Sequence, residues 1–296
     1  MNRWWKWAGI AVAALASFAI VALLVVYVAS ETIISKHYPL GASQLHAASG
    51  PDAIARGGHF ASAYGCADCH GHDLQGAYIA DFGLSSRNLT RLATSFTDAD
   101  FDRAVRKGLR PDGTSVAEYM PSDAFQFIPD ADMADIVAYI HSRKPAGKDI
   151  PFPSYDLKTR LGFLIGMAHM DRYWFGRQKP ALDLGARHDR GRALAMAACG
   201  ECHMTALTGG PPDIPGPRPP DLSLVASYGR ADFLKFMRTG MAAGNRKLPL
   251  MSATARARFS HFSDDELNAI YDYLAARGRR RTGDLSSRNP NAPSSG

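Results

Sequence analysis

The chain has 296 residues, of which 46% are apolar and 21% charged, a composition that excludes a disordered or collagen-like protein. With only four cysteines in a chain of this size, a disulfide framework is also excluded. The formal charge is +6, but residues 1–7 and 277–296 carry all of that surplus, and residues 8–276 sum to zero. Composition therefore gives no support to a nucleic-acid-binding face.

The N-terminal segment contains a run of 22 uncharged residues, 8–29, which is long enough to cross a hydrocarbon core of about 30 Å as a helix. Arg3 and Lys6 precede this run, so the positive-inside rule places the N-terminus in the cytoplasm. A cleaved signal peptide is the alternative, although signal h-regions are shorter. The sequence predicts a single-pass transmembrane anchor over residues 1–30 in a bacterial inner membrane, with the rest of the chain in the periplasm.

A repeated unit follows the anchor, at residues 51–143 and again at residues 186–276. Each copy contains a helix-like run, a Cys-x-x-Cys-His motif, a loop rich in glycine and proline, a middle helix and a final amphipathic helix. Ser263 and Glu266 are typical of a capping box at the start of the last helix. The pattern predicts two copies of one small all-α domain.

Two segments lie outside the repeat. Residues 144–185 are rich in proline and aromatic residues, and their apolar run, 161–170, is too short to span a bilayer. We expect them to form a connector lying over the domains. Residues 277–296 are basic and polar, which predicts a disordered basic tail.

All four cysteines belong to two Cys-x-x-Cys-His motifs, CADCH and CGECH. A Cys-x-x-Cys pair alone is typical of a redox dithiol, half of a zinc site or a haem attachment. The histidine after each pair favours covalent haem, because haem c needs two thiols for its vinyl groups and an imidazole beneath the iron. The predicted attachment residues are Cys66, Cys69, Cys199 and Cys202, and the predicted proximal ligands are His70 and His203.

Each haem iron has a second axial position, and two methionines lie at matching offsets. Met120 follows His70 by 50 residues, and Met251 follows His203 by 48 residues. Thioether ligation raises the reduction potential of a haem, which suits an electron carrier. We predict Met120 and Met251 as the sixth ligands, with Met241 as the rival in the second unit because Met251 lacks the proline that follows Met120.

These motifs resemble class I cytochrome c twice over: CADCH with MP and DIVAYI in the first unit, and CGECH with LM and AIYDYL in the second. The resemblance implies an all-α fold class, with the N-terminal transmembrane helix followed by two class I cytochrome c domains and two covalently bound haem c. In that family the first and last helices of a domain cross at a glycine and an aromatic residue. The resemblance places Gly58 or Phe60 against Tyr139, and Gly191 against Tyr273.

The order of parts is also similar to the multihaem cytochrome subunits of periplasmic dehydrogenases for alcohols, gluconate and aldehydes. SSRNLT and IPFPSYDLKTR carry this resemblance. Those subunits usually have three haems, whereas this chain has two attachment motifs, and Arg87 stands where they have proline.

The resemblance implies an electron-transfer protein rather than an enzyme. It would be a membrane-tethered dihaem c-type cytochrome that passes electrons from a periplasmic dehydrogenase or other donor to the respiratory chain. The expected acceptor is a respiratory oxidase, a quinone-linked complex or a soluble cytochrome. One alternative is an integral haem c subunit of a respiratory oxidase or quinol-oxidising complex. A dihaem peroxidase or thiosulfate dehydrogenase is less favoured, because it needs an iron with an open or replaceable ligand.

Overall fold

A computed structural model describes residues 3–79, 84–117, 119–210 and 218–288, and these are mostly helical. The α-helices are α1 (Arg3–Ile34), α2 (Pro51–Ala63), α3 (Cys66–His70), α4 (Leu89–Leu92), α5 (Asp98–Lys107), α6 (Ser122–Phe125), α7 (Asp130–Ser142), α8 (Leu157–Ile165), α9 (Asp189–His203), α10 (Arg230–Thr239), α11 (Pro249–Ala257) and α12 (Asp264–Arg288). Two short antiparallel pairs accompany them: β1 (Tyr78–Ile79) with β2 (Leu84–Ser85), and β3 (Met241–Ala242) with β4 (Arg246–Lys247). The predicted all-α fold class is confirmed.

Helix α1 has an exposed apolar surface over most of its length. Among the described residues it is the one helix long and apolar enough to cross a membrane. Its C-terminal end is covered by α8 of the connector, where the Arg160 guanidinium donates to Ser30 Oγ at 2.8 Å and to the Glu31 carboxylate at 3.0 Å. The connector therefore lies partly against the predicted anchor, in addition to the domains over which it was expected.

In the second unit, α9 crosses α12 at Gly191. A Cβ added to Gly191 would lie 2.0 Å from the carbonyl oxygen of Ala269 and 3.0 Å from Tyr273 Cβ. Only glycine permits so close an approach of two helix backbones. The expected contact between Gly191 and Tyr273 is confirmed.

In the first unit the corresponding crossing of α2 and α7 is made by Gly57, one residue before the expected Gly58. A Cβ on Gly57 would lie 1.9 Å from the carbonyl oxygen of Asp135, whereas a Cβ on Gly58 would meet only the ring of Tyr139, at 3.2 Å. Two adjacent glycines made the register ambiguous in the sequence. The structure assigns the close backbone contact to the first of them.

Helix α12 begins at the predicted capping box but ends later than the predicted second unit. Its predicted capping box is present, since the Glu266 carboxylate accepts from Ser263 N at 2.8 Å and Ser263 Oγ accepts from Glu266 N at 3.2 Å. The helix then continues to Arg288, into the segment predicted to be a disordered tail, and the disorder of that tail stays a prediction. Residues 289–296 of the predicted tail lie outside the described residues.

Contacts with the rest of the second unit explain the extension of α12. The Arg277 guanidinium is buried and donates to Asp221 Oδ1 at 3.0 Å and to the carbonyl oxygen of Ala206 at 3.1 Å. Gly278 packs so closely that a Cβ there would lie 2.3 Å from the carbonyl oxygen of Ser223. Composition alone does not reveal these tertiary contacts.

One continuous apolar core contains buried side chains from both units. The Tyr64 ring of the first unit meets Phe262 of the second edge to face, with centroids 5.9 Å apart. The Tyr64 hydroxyl donates to Asp132 at 3.1 Å, and Asp132 also accepts from Arg190 of the second unit at 2.6 Å. The two units are therefore packed together rather than separated by a solvated gap.

Polar contacts at the edge of this core join the units further. His59 Nε2 of α2 lies 2.8 Å from Glu266 Oε2 of α12. In the connector, Gln178 Nε2 donates to Asp123 of the first unit at 2.5 Å, and Gln178 Oε1 accepts from Thr205 N of the second unit at 2.9 Å. The side-chain amide of Gln178 thus contacts both units at once.

The crossing at Gly57 gives a direct test of this fold. We expect Gly57→Ala to reduce the free energy of unfolding by about 1–3 kcal/mol, because its Cβ forces α2 away from α7. Gly58→Ala is the matched control on the same helix, and it should be near neutral because only the end of a tyrosine ring must shift. Thermal unfolding of both variants measures the difference, and equal melting temperatures would contradict the assigned register.

Candidate haem-attachment sites

The four cysteines lie in pairs on helical turns. Cys66 and Cys69 are on α3, and Cys199 and Cys202 are in the last turn of α9. The i, i+3 spacing places both sulfur atoms of a pair on the same side of its helix. Each helix ends at the histidine of its motif, so the thiols and the imidazole project from one short turn.

Burial favours the neutral thiol at all four cysteines of the polypeptide without haem. Burial raises the pKa of Cys66 and of Cys199 to about 12, and burial also raises the pKa of Cys69 and of Cys202. A redox-active dithiol needs a lowered thiol pKa, so the sites do not fit that alternative. Within the described part of the chain, no three His, Cys, Asp or Glu side chains are grouped to hold a metal ion, and the zinc alternative has no support there.

Both histidines are held in the tautomer that binds a metal. His70 Nδ1 lies 2.8 Å from the carbonyl oxygen of Arg87, and His203 Nδ1 lies 2.7 Å from the carbonyl oxygen of Pro220, each 17 residues further along the chain. Because a carbonyl oxygen only accepts, Nδ1 carries the proton and Nε2 keeps its lone pair. Burial lowers the pKa of both imidazoles, which keeps them neutral.

The loop after each motif has the same unusual backbone. Leu74 and Leu207, each four residues after the motif histidine, have φ angles of 58° and 59° and are buried. Their backbone N–H groups donate to the carbonyl oxygens of Gly71 and Met204, both at 2.8 Å. A non-glycine residue in the left-handed region is costly, so its recurrence at equivalent positions shows that both loops are shaped by the same tertiary constraint.

The predicted sixth ligands occupy comparable surroundings. Met120 directly precedes Pro121 and α6, and Met251 lies in the first turn of α11; both are half-buried and pack against the shared core. The rival Met241 begins β3 and is also half-buried. Ligation by Met120 and Met251 stays a prediction that this packing supports.

Three residues around the motifs were missed by the sequence analysis. The Arg258 guanidinium donates from Nε to Asp68 Oδ2 at 2.6 Å and from Nη1 to Glu201 Oε2 at 2.7 Å. Asp68 and Glu201 occupy the same position within CADCH and CGECH. An acidic residue at the same position in both motifs was the one sequence feature that could have indicated this contact. The pairing of both carboxylates with Arg258 is visible only in the structure.

The arrangement fits two haem c groups, because each site offers two neutral thiols on one turn and a neutral imidazole fixed by a backbone carbonyl. These sites and the helical fold define an electron-transfer haem protein. The chain belongs to the cytochrome c family, whose profile matches residues 54–144 and 188–277. The family supports the prediction of two haem c groups, and the attachment residues named above lie within the two matched segments.

Several known proteins are similar to most of the chain. The fructose dehydrogenase cytochrome subunit of Gluconobacter japonicus is 28% identical over 259 residues, which are 75% of this chain and 52% of that protein. The gluconate 2-dehydrogenase cytochrome c subunit of Pantoea cypripedii is 25% identical over 270 residues, 77% of this chain and 60% of the relative. A diheme cytochrome c-type protein of Cereibacter sphaeroides is 24% identical over 254 residues, 74% of this chain and 84% of the relative.

The chain spans about half to three fifths of the length of the two dehydrogenase subunits, and most of the length of the diheme protein. These relatives are electron-transfer subunits or carriers by name, which supports the prediction that this chain is not itself the catalytic subunit.

The axial ligands can be separated by spectroscopy. We expect Met120→Ala and Met251→Ala each to remove half of the long-wavelength absorption band that ferric haem shows with a methionine ligand, because each variant loses one thioether. Met241→Ala is the matched control and should keep the full band. The opposite result for Met251 and Met241 would assign the second ligand to Met241.

A buried carboxyl group near Met120 predicts a pH-dependent stability. Asp171 is buried, and its Oδ1 accepts from Ser122 N at 3.1 Å. Burial, with the nearby carboxylate of Asp123, raises the pKa of Asp171 well above its usual value. A carboxyl whose pKa rises on folding stabilises the fold below about pH 4, and the stabilisation is lost as the pH rises through the folded-state pKa.

We therefore expect Asp171→Asn to be more stable than the wild type at pH 7, by about 1–3 kcal/mol, because it removes a buried charge. The difference should disappear below about pH 3, where the carboxyl is protonated in both states. Calorimetry of both proteins across this range checks the sign. A variant less stable than the wild type at pH 7 would show that the charged carboxylate is favourable in the fold.

Proposed function

We propose that the chain is a membrane-tethered dihaem c-type cytochrome that accepts electrons from a periplasmic dehydrogenase and delivers them to the respiratory chain. When bound, each haem supplies one-electron redox chemistry. The protein supplies the ligands, the apolar surroundings and the relative placement of the two sites.

The observation that carries this proposal is the duplication of the site within one shared core. Both motifs have the same cysteine spacing, the same histidine-to-carbonyl hydrogen bond and the same left-handed leucine. Two equivalent sites in one packed body suit entry of an electron at one and its departure from the other. The names of the relatives supply the class of donor, since fructose, alcohol and gluconate dehydrogenases each use a cytochrome subunit similar to this chain.

Tethering is supported by α1 and by what lies against it. The most apolar stretch of α1 has no burial within the protein. Its C-terminal end is fixed to the connector through Arg160, which also stacks on the ring of Tyr27 at 4.2 Å. An anchor attached in this way would hold the haem domains close to the membrane surface, where a quinone-linked complex or an oxidase could be reached.

The function is tested by purifying the full chain from membranes in mild detergent and identifying what accompanies it. A dehydrogenase catalytic subunit, together with reduction of both haems on addition of its substrate, would support the proposal. Copurification with copper and b-type haem, without a dehydrogenase, would instead support a subunit of a respiratory oxidase or quinol-oxidising complex. Rapid turnover of peroxide or thiosulfate by the purified chain would favour an enzyme.

The anchor is tested separately by alkaline carbonate extraction of membranes. We expect the covalent haem signal to stay in the membrane pellet, because the span of 22 uncharged residues remains in the bilayer. Replacement of residues 1–30 by a cleavable signal peptide is the control, and it should release the haem protein into the periplasm. A wild-type polypeptide that is soluble and begins after Ala29 would contradict tethering.

A further inference from the structure

Arg258 occupies a position that the proposed electron transfer alone does not explain. It belongs to the second unit, at the C-terminal end of α11, the helix that contains Met251. Its guanidinium lies between Asp68 in the first haem motif and Glu201 in the second, at 2.6 Å and 2.7 Å. A single side chain therefore connects both attachment motifs and the helix of a predicted axial ligand.

The surroundings of Arg258 are built to hold this arrangement. Its side chain is only 18% exposed, while the two carboxylates are each 34% exposed. Gly65, directly before the first motif, leaves the space for it, since a Cβ there would lie 2.4 Å from Arg258 Nε. Burial works against the positive charge, but the two carboxylates outweigh burial, and the pKa of Arg258 is raised.

The second motif is fixed to the first unit at another point as well. Gly200, the residue before Glu201, packs on α6, where a Cβ would lie 3.2 Å from Ala124 Cβ. Helix α6 follows Met120 and Pro121 directly. The second attachment motif is thus linked to the first motif by the ion pairs of Arg258, and to α6 of the first unit by the close approach at Gly200.

We propose that Arg258 is a positioning residue for electron transfer between the two haems. It clamps the two attachment motifs in one relative orientation and places one shared positive charge beside both. This inference rests on the proposed electron-transfer function. A positive charge beside a haem favours the reduced state. A guanidinium donates to two carboxylates from two separate nitrogens in a fixed plane, whereas an ammonium has a single nitrogen.

The electrostatic part of the proposal predicts shifts of opposite sign in a spectroelectrochemical titration of the purified holoprotein. Arg258→Gln should lower both reduction potentials. Asp68→Asn and Glu201→Gln, which remove a negative charge with little change of shape, should each raise the potential of the haem in their own motif. Arg230→Gln is the matched control, because Arg230 is an arginine of the same unit paired with Asp272 on the surface; it should leave both potentials unchanged.

The positioning part is tested by the rate of electron exchange between the haems after photoreduction of one of them. Arg258→Lys should keep both potentials near those of the wild type and still slow the exchange, because lysine keeps the charge without bridging both carboxylates. Shifts of the same sign in all the variants, or wild-type exchange rates in both Arg258 variants, would overturn the proposal. These measurements use no donor or acceptor protein, so their failure is distinct from failure of the proposed function.

A different observation carries a second inference, which concerns α8. One side of this connector helix and the turn after it expose a row of large apolar residues, whose relative solvent exposure ranges from 37% to 81%. They are Leu157, Leu161, Leu164, Ile165 and Met167. The spacing places the leucines along one face of the helix. The opposite side of α8 is the packed one, where Phe163 joins Ile34 of α1 in a small apolar cluster.

The depth of α8 follows from its contacts with α1. Arg160 is bound to Ser30 and Glu31, the first residues after the uncharged span of α1. If α1 crosses a bilayer, α8 therefore lies level with the outer end of the hydrocarbon region. Arg160 also lies over the ring of Tyr27, and Tyr27 and Val28 of α1 are themselves exposed.

We infer that α8 lies in the outer headgroup region of the membrane, with its row of leucines toward the acyl chains. This rests on the proposed tethering. Amphipathic helices bind at this depth through their apolar face, and a second contact beside the anchor would fix the orientation of the haem domains toward the membrane.

Nitroxide labels on the full-length holoprotein in lipid nanodiscs test this inference. Haem attachment uses the native thiols, so an introduced cysteine is the only reactive one. A label at Leu164→Cys should be more accessible to oxygen than to a water-soluble nickel chelate, and a label at Lys158→Cys on the exposed polar side should show the reverse. A label at Leu15→Cys reports on α1 independently. If Leu15 reads as buried in lipid while Leu164 is accessible to nickel, or is shielded from both reagents, the inference is wrong and tethering still holds.

Discussion

Tyr64 makes the contact on which the arrangement of the two haem sites depends. It ends the first helix of the first unit, two residues before Cys66, and its ring is enclosed by the second unit through Phe262. Its hydroxyl donates to Asp132, and Arg190 of the second unit donates to the same carboxylate. Because Tyr64 adjoins the first motif, the packing between the units acts together with the Arg258 ion pairs to set the orientation of that motif.

The same principle operates inside each unit. A short helical turn presents the thiols and the imidazole, and a hydrogen bond from outside that turn fixes the imidazole ring. The acceptor is a carbonyl oxygen 17 residues away, from Arg87 or from Pro220. The backbone of a loop therefore selects the histidine tautomer. Arg87 of the first unit and Pro220 of the second can occupy the same position because only the backbone carbonyl is used. Hydrogen bonds of this kind commonly orient metal ligands.

The sequence predicted what is encoded locally. Cysteine spacing, the following histidine and the capping box of α12 are short-range features, and the structure contains them in the expected places. The family resemblance placed the close crossing at Gly191, where the structure has it, and at Gly58 or Phe60 in the first unit, where the closest backbone approach is at Gly57 instead. Long-range contacts were not predictable. Arg277, the first residue of the predicted tail, meets Asp221, and Arg258 joins two motifs that are far apart in the chain.

The duplicated motifs suggested two self-contained domains, yet the apolar core passes from one unit to the other. Apolar packing of this kind is not screened by salt, in contrast to exposed ion pairs. Two haems carried by such a body have a fixed separation, whatever the ionic strength around it.

Pulsed electron paramagnetic resonance on the oxidised full-length protein, with both haems attached, measures that separation directly. The account predicts a single narrow distance distribution between the two irons, unchanged between low and high salt. A broad distribution, or one that widens as salt is added, would contradict it and would show two haem domains that move independently.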